Sequence, residues 1–452
     1  METKKLRIFE DKIDNTIELE QALTINDSEL SFSQGRETPI LVVGIKSKSI
    51  VLFKENQNIR IKGNKDNPTI IYVEKPAIPD SPVTNANRSK RPFFGIEHSE
   101  NISLKNIIVK SNNDTPSSKP GRPEYDPLLE SEHGVSILHG KGIKIINFIG
   151  KYLWGDGIYI SGNYTDGVYI LNPYIDWNGR QGISAVAGKD IKIVNPIITN
   201  GRRGAFDIEP NGVNGFVYDF RLIGGHSLSQ LLAFPMGGSG KVENILIKDH
   251  IYDTASNTTF ARGNGSTITR KNIIFSGNRR KGEGKHSYGS WQAAYMFIHA
   301  ENVLIEKEVC GVKAGRSNVI ISLDSCKNFH IRNNDFPGAK YIRLIGSTTP
   351  KDVKVYGNKQ QLYFIMQNGD IVPIKEYQAT EVEKNEIPFE VSKLINDDYY
   401  GIETPNEPTP PIEEETPNEL PKNSLKIIII VIIIITILIL FILTCYGNRF
   451  KI

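Results

Sequence analysis

Asp207 and Glu209, two residues apart in NGRRGAFDIEPNG (Asn200 to Gly212), are the carboxylates of this chain best placed by spacing to do chemistry. On an extended strand, residues two apart share a face, with Cβ atoms about 6.5 to 7 Å apart. Such a pair can serve as general acid and general base in cleaving a glycosidic bond. Asp156, in WGDGIYISGN (Trp154 to Asn163), is a third carboxylate and a candidate opposite member. Arg180, Arg202 and Arg203 supply guanidinium groups that can clamp an acidic or polyhydroxylated substrate, beside Gln181 and Tyr159. Trp154 and Trp177 offer flat faces on which sugar rings stack, and equally suit packing beneath a loop. The same groups admit other chemistry. They can bind Ca²⁺, or neutralise a uronate carboxylate while Tyr159 or an arginine moves a proton in elimination. They can also form a solvated acidic face paired with Arg202 and Arg203, an arrangement that adds little stability.

These residues come from three segments, WGDGIYISGN, WNGRQGISAVAG (Trp177 to Gly188) and NGRRGAFDIEPNG, which align at Gly157, Gly182 and Ala205. In that alignment Ile158, Ile183 and Phe206 point one way, as do Ile160, Ala185 and Ile208. Tyr159, Ser184 and Asp207 point the other way, followed by Ser161, Val186 and Glu209. Asp156, Gln181 and Gly204 stack at the preceding corner. Strands spaced by about 4.8 Å would make this one continuous polar patch.

The elements that position the patch form a repeat. Asn101-Ile-Ser-Leu104, Gly142-Ile-Lys-Ile145, Gly167-Val-Tyr-Ile170 and Asp190-Ile-Lys-Ile193 belong to a series that continues through Asn244, Asn272, Asn302, Asn328 and Asp352. From Ile143 onward the anchors recur roughly every 23 to 30 residues, the period of a solenoid. Each is a short apolar alternation, the pattern of a half-buried strand. The expected fold is all-β: a right-handed parallel β-helix. Asn and Gly sit at its corners in left-handed backbone conformations, and stacked Asn side chains form ladders. A short amphipathic helix over Thr16–Leu23 is the expected N-terminal plug, since an open solenoid end exposes a sheet edge.

The other end is different in kind. Residues 427–446 are apolar throughout apart from Thr436, Thr444 and the terminal Cys445 and Tyr446, and about 20 residues of helix span a bilayer core. Before this run lies TPNEPTPPIEEETPNELP, an extended Pro- and Glu-rich stalk. The expected organisation is an N-terminal cap (1–35), the β-helix (36–360), a C-terminal cap region with a hairpin around Asn368-Gly369 (361–403), the stalk (404–424), a transmembrane helix (425–446) and a short tail (447–452). That describes a single-pass, tail-anchored membrane protein without a signal peptide. Lysines and arginines flank the apolar run on both sides and do not choose its orientation.

Composition sets limits. A net charge of +3 with a pI near 8.4 gives no case for nucleic acid as a partner. Three cysteines exclude a disulfide scaffold, and Cys310 and Cys326 read as buried thiols. No CxxC motif or His-rich cluster indicates zinc, and no Gly-rich loop precedes a helix to cradle phosphate, so no cofactor is expected beyond the Ca²⁺ alternative. His133, His139 and His226 read as satisfied corner residues. The loop-rich stretches Pro76 to Arg91 and Ser111 to Pro127 read as surface insertions.

GDGIYISG, RQGIS and FDIEPNG resemble recurring elements of the pectate-lyase-like right-handed β-helix superfamily. That superfamily includes polysaccharide lyases, hydrolases, uronate epimerases and phage tailspikes. The architecture matches over Thr16 to Asn358, and the motifs over roughly 60 residues. Asn163-Tyr164-Thr165-Asp166-Gly167 is similar to the Asn-Thr-Asp-Gly of the polygalacturonase-type hydrolases. No Asp-Asp pair follows it, Gly225-His226-Ser227 departs from their Gly-His-Gly, and Arg60-Ile61-Lys62 lies far too early for their Arg-Ile-Lys. The resemblance therefore implies a polysaccharide or glycan partner without fixing a reaction. Two function classes stand: a membrane-tethered polysaccharide hydrolase, lyase or epimerase, and a non-catalytic glycan-binding or structural surface or virion membrane protein. Neither the sequence nor the resemblance fixes an oligomeric state.

Overall fold

The computed structural model describes residues 92–388, apart from short stretches at 115–122, 213, 231, 255–256, 264–266, 282–292 and 312–317, and the backbone of six strands between Lys4 and Val73. The chain divides into two units, Met1–Tyr400 and Gly401–Ile452, and every described residue belongs to the first. The expected helix at Thr16–Leu23, the Pro76 to Arg91 loop, the stalk and the apolar 425–446 segment lie outside the described residues. Among the described residues, no helix is long and apolar enough to cross a membrane.

The chain winds through three faces of parallel strands. One face is a thirteen-stranded sheet running from Lys4–Ile8 to Val353–Tyr356, and a second has nine strands from Ile40–Val42 to Arg279–Arg280. The third face is in two parts: six strands from Val51–Lys54 to Phe206–Ile208, then seven from Phe234–Met236 to Ile371–Pro373. Among the described residues only the last pairing, Tyr363–Ile365 with Ile371–Pro373, is antiparallel. This is the expected right-handed parallel β-helix.

Register explains why the apolar alternation folds this way. Leu104, Ile145, Ile170, Ile193, Leu222, Ile247, Phe275, Ile305 and Ile331 lie opposite one another in successive strands of the thirteen-stranded sheet, and all are fully buried. Each isoleucine buried in this way contributes roughly 1.5 to 3 kcal/mol, but only because the neighbouring coils are present to cover it. Three residues before these buried positions the chain takes a left-handed step at the anchor residue, including Asn101, Gly142, Gly167, Asp190, Asn244, Asn272, Asn302 and Asn328. Asn and Gly tolerate that conformation best. The expected ladder is present. Asn244, Asn272, Asn302 and Asn328 each donate from Nδ2 to the side-chain oxygen one coil before, at 3.0, 2.8, 3.0 and 2.8 Å, beginning on Asp219.

The break in the third face coincides with a proline. Phe206 N–H donates to Ala233 O at 3.0 Å, a register in which the next ladder bond would come from the N–H of residue 235. Residue 235 is proline, which has none. The sheet ends on the coil that carries Asp207.

The hairpin expected around Asn368-Gly369 closes the C-terminal end, with Gly369 at φ 91°. The chain then folds back across the outside of the thirteen-stranded sheet. A short helix, Glu381–Asn385, is capped by Thr380, and Arg332 Nη1 donates to Glu386 O at 3.0 Å. Ile387 covers the outward-facing Leu246, Ile274 and Leu304.

Candidate functional site

Strand pairing places the candidate residues in the register the sequence suggests. Ile158, Ile183 and Phe206 stack inward, and Tyr159, Ser184 and Asp207 lie opposite one another on the outer side. Gly157 N–H donates to Gln181 O and Gly182 N–H to Gly204 O at 3.1 and 3.0 Å, which stacks Asp156, Gln181 and Gly204 at the corner. The glycines follow from packing: a Cβ on Gly157 would lie 2.5 Å from Ile175 Cδ1 and 2.7 Å from Gly182 O.

Asp156 is fully buried and carries the densest polar cluster. Its carboxylate accepts from Arg180 Nη1 at 2.7 Å, Ser184 Oγ at 2.9 Å and Gln181 N–H at 2.8 Å. Burial raises its pKa, and Arg180 and the three donors oppose the rise. His133 packs against the same group. Burial and the Arg180 charge hold His133 down at about 3, so the imidazole is neutral and its Nδ1 accepts from Asp156 N–H at 3.0 Å. Its 3.7 Å approach to Asp156 Oδ2 is therefore not an ion pair. The ring of His133 stacks on Tyr159, with centroids 4.6 Å apart and planes parallel to within 1°.

Asp207 is linked to this cluster through Gln181. Gln181 Nε2 donates to Asp207 Oδ2 at 3.0 Å, and Gln181 Oε1 accepts from Gly204 N–H at 2.5 Å. Only 4% of Asp207 is exposed, and burial lifts its carboxyl to about 7, helped by the charges of Glu209 and Asp156. Glu209 is half-buried and lies against the turn at 237–240, where a Cβ on Gly237 would sit 3.1 Å from Glu209 Oε1. The pair thus has unequal environments, one carboxyl nearly dry and the other reaching solvent. Burial of that kind favours the protonated form of Asp207.

The other expected residues are placed differently from one another. Arg180 belongs to Asp156. Arg203 lies over the Tyr125 ring at 4.5 Å, and among the described residues no ion pair joins Arg202 or Arg203 to Asp207 or Glu209, so the paired acidic face is not what forms. Trp154 is not an exposed platform: it is buried, and its Nε1–H donates to Asn112 Oδ1 at 2.9 Å. Trp177 is half-buried at a corner with φ 56°, and its Nε1 is enclosed. Burial and the Asp156 charge push Tyr159 up to about 12, so its phenol keeps its proton at neutral pH. Calcium does not suit Asp156, whose oxygens already serve three donors. Among the described residues no group of three or more His, Cys, Asp or Glu could hold a metal ion. Cys310 and Cys326 are buried free thiols.

Several contributors escaped the sequence reading. Residues 123–134 pack over the corner, where Tyr125 OH donates to Glu130 Oε2 at 2.7 Å beside Arg203. Arg270 is fully buried, and its guanidinium donates to Met236 O at 3.0 Å, Gly238 O at 2.9 Å, Gly240 O at 2.7 Å and Gly237 O, gathering the turn against Glu209. It occupies an inward position between Val242 and Ala300. A charged residue in an apolar column was the available signal.

No family model matches the chain, and no curated protein matches it. Solved structures do. The A-module of the mannuronan C-5 epimerase AlgE6 from Azotobacter vinelandii is 11% identical with a TM-score of 0.44, over 74% of this chain and 83% of that one. The tailspike gp49 of Acinetobacter baumannii bacteriophage Fri1, a capsular polysaccharide depolymerase, is 13% identical with a TM-score of 0.44, over 85% and 67%. The Streptococcus pneumoniae surface protein and adhesin PfbA is 13% identical with a TM-score of 0.43, over 76% and 100%. Likenesses of this size assign no activity. The architecture rests on the chain's own strand pairing, and by that pairing the protein is a right-handed parallel β-helix.

Proposed function

We propose that the outer face around Asp207 and Glu209 acts on a polysaccharide by hydrolysing a glycosidic bond. The observation that carries this is the nearly dry Asp207 carboxyl, two residues along one strand from the half-buried Glu209. Asp207 gives its proton to the glycosidic oxygen as the bond to the anomeric carbon breaks. Glu209, as carboxylate, takes a proton from the water that attacks that carbon, or attacks it directly. Gln181 steers Asp207, and the Asp156–Arg180–Ser184 cluster fixes the corner from which Gln181 projects. The epimerase and the depolymerase that share the architecture act on polysaccharides, which is in keeping with this substrate class. The apolar run at 427–446, long enough for a bilayer, supports a membrane-tethered form of the activity.

A second reading is favoured by one observation: Asp207 is 4% exposed and Asp156 not at all. In that reading the carboxyls only shape a glycan-binding surface, as in a non-catalytic surface or virion membrane protein.

The test incubates the full-length chain in detergent with polygalacturonate, alginate, xylan and dextran, following new reducing ends and unsaturated-uronate absorbance. Hydrolysis gives reducing ends without absorbance, and Asp207→Asn abolishes them. Absorbance rising with the reducing ends overturns hydrolysis in favour of elimination. Cleavage that survives Asp207→Asn removes that residue from the mechanism, and binding without cleavage leaves the second reading.

A further inference from the structure

The tryptophans are withdrawn from solvent, yet aromatic rings line the same face elsewhere. His98, His139 and Tyr164 follow the strands Phe94–Glu97, Val135–Leu138 and Ile158–Ser161, which are consecutive in the six-stranded sheet. Their rings are in contact, with centroids 4.6 Å apart for His98 and His139 and 5.3 Å apart for His139 and Tyr164. His98 is exposed, His139 partly so, and Tyr164 is 70% exposed. Nothing in core packing requires rings here.

The backbone is built to hold them. His98 and His139 sit at φ 48° and 57°, a left-handed step that Asn or Gly takes at lower cost. Tyr164 N–H donates to His139 Nδ1 at 3.3 Å, which points the Nε2 edge of that ring outward. The closure depends on Gly162, where a Cβ would lie 2.5 Å from His139 Nδ1.

The stripe also leads to the candidate site. In register, Leu138 and Ser161 are followed by Val186 and then Glu209, so Glu209 lies two coils beyond Tyr164, about 10 Å along the axis. Asn163 Nδ2 donates to Asn214 O at 3.5 Å, and Gly212 N–H donates to Ser239 Oγ at 2.8 Å. These bonds join the Tyr164 turn, the loop after Glu209 and the turn held by Arg270 into one rim.

We infer that His98, His139 and Tyr164 form a second glycan-binding subsite, in which the exposed Tyr164 ring packs on the C–H face of one pyranose and the outward ring edges of His139 and His98 hydrogen-bond the hydroxyls of its neighbours, in a chain lying along the solenoid axis toward Glu209. Rings stacked on one another present edges to solvent, so the His139 Nε2 edge meets hydroxyls, while the largely exposed Tyr164 offers ring surface to a C–H face. Coils spaced by about 4.8 Å repeat at close to the rise of an extended polysaccharide. The inference rests on the glycan reading of the face and deepens it.

The experiment is affinity electrophoresis of the full-length chain in detergent, in native gels cast with polygalacturonate, alginate, xylan or dextran. The variant His139→Asn/Tyr164→Ala removes two rings while Asn keeps the left-handed step. Its retardation is expected to weaken roughly tenfold on whichever polysaccharide retards the wild type. Retardation of the ring variant equal to wild type overturns the subsite and leaves the glycan reading standing. A wild type that no polysaccharide retards overturns both.

Discussion

The side chain of Gln181 donates from Nε2 to Oδ2 of Asp207 at 3.0 Å, while its backbone N–H donates to Oδ1 of Asp156 at 2.8 Å. One residue thus joins two buried carboxyls on alternate coils that would otherwise meet only through repulsion. The bond favours the Asp207 carboxylate, yet burial outweighs it and leaves the group at about 7.

That value has a consequence for stability. An aspartate pKa raised on folding from near 4 means that the fold prefers the protonated acid. The stabilisation is complete below about pH 4 and is lost as pH rises through about 7. Asn at 207 is neutral throughout and can still accept from Gln181. Asp207→Asn should therefore melt progressively higher than wild type between pH 5 and pH 8.5, by at most roughly 4 kcal/mol of stability. Melting curves that shift in parallel at the two pH values would sink the assignment.

Arg180 is the only cation paired with Asp156 among the described residues, and that carboxylate is fully buried. Removing one partner of such a pair costs more than removing both, because a lone buried charge remains. Arg180→Met should destabilise by roughly 3 to 5 kcal/mol, and Asp156→Asn/Arg180→Met should recover a large share. Urea midpoints for wild type, Arg180→Met, Asp156→Asn and the double variant decide it. A double variant as unstable as the sum of the singles would show that the pair is not the source.

The repeat was legible because each coil writes its own signature, an Asn, Asp or Gly for the left-handed step and then an apolar alternation. Register followed, since a one-residue slip would turn Ile158, Ile183 and Phe206 outward. Asp207 and Glu209 could be placed on the outer face for the same reason. What stayed hidden depends on residues distant in sequence. Trp154 is buried because its indole finds Asn112, 42 residues earlier and across a loop insertion. Arg270 gathers a turn 30 to 34 residues before it, and Pro235 has no N–H to donate to the preceding coil where the sheet ends. No local pattern carries those contacts.

The Asn ladder separates backbone conformation from hydrogen bonding. Asn272 sits at φ 55°, donates to Asn244 at 2.8 Å and accepts from Asn302 at 3.0 Å. Asn272→Ala loses both bonds and carries a Cβ into the left-handed region; Asn272→Gly loses the bonds alone. The alanine variant should be the less stable by about 1 kcal/mol, with both below wild type. Equal stability of the two would mean that the left-handed step costs nothing at this corner.

A second ladder runs through the interior and has one irregular rung. His250 N–H donates to Asn278 Oδ1, Glu308 N–H to Asn334 Oδ1 and Asn334 N–H to Asn358 Oδ1, each at 2.9 Å. Where the pattern calls for Asn, the chain has Glu308, fully buried and lifted by burial to about 8. It accepts from Asn278 N–H and Nδ2 at 2.8 Å and from Tyr295 OH at 2.6 Å. The longer side chain reaches a phenol that Asn would miss, so the irregularity connects the ladder to the Tyr295–Tyr252 pair. Glu308→Ala strands buried donors and should cost roughly 2 to 4 kcal/mol. Tyr295→Phe removes one of those donors, so the double variant should be more stable than the sum of the singles by about 1 kcal/mol or more. Because Tyr295 also lies 3.3 Å from Tyr252, Tyr252→Phe is the control: its effect should add to that of Glu308→Ala, since Tyr252 has Thr258 as a second partner at 3.1 Å. Additivity for both tyrosines would show that Glu308 stabilises the coil through Asn278 alone.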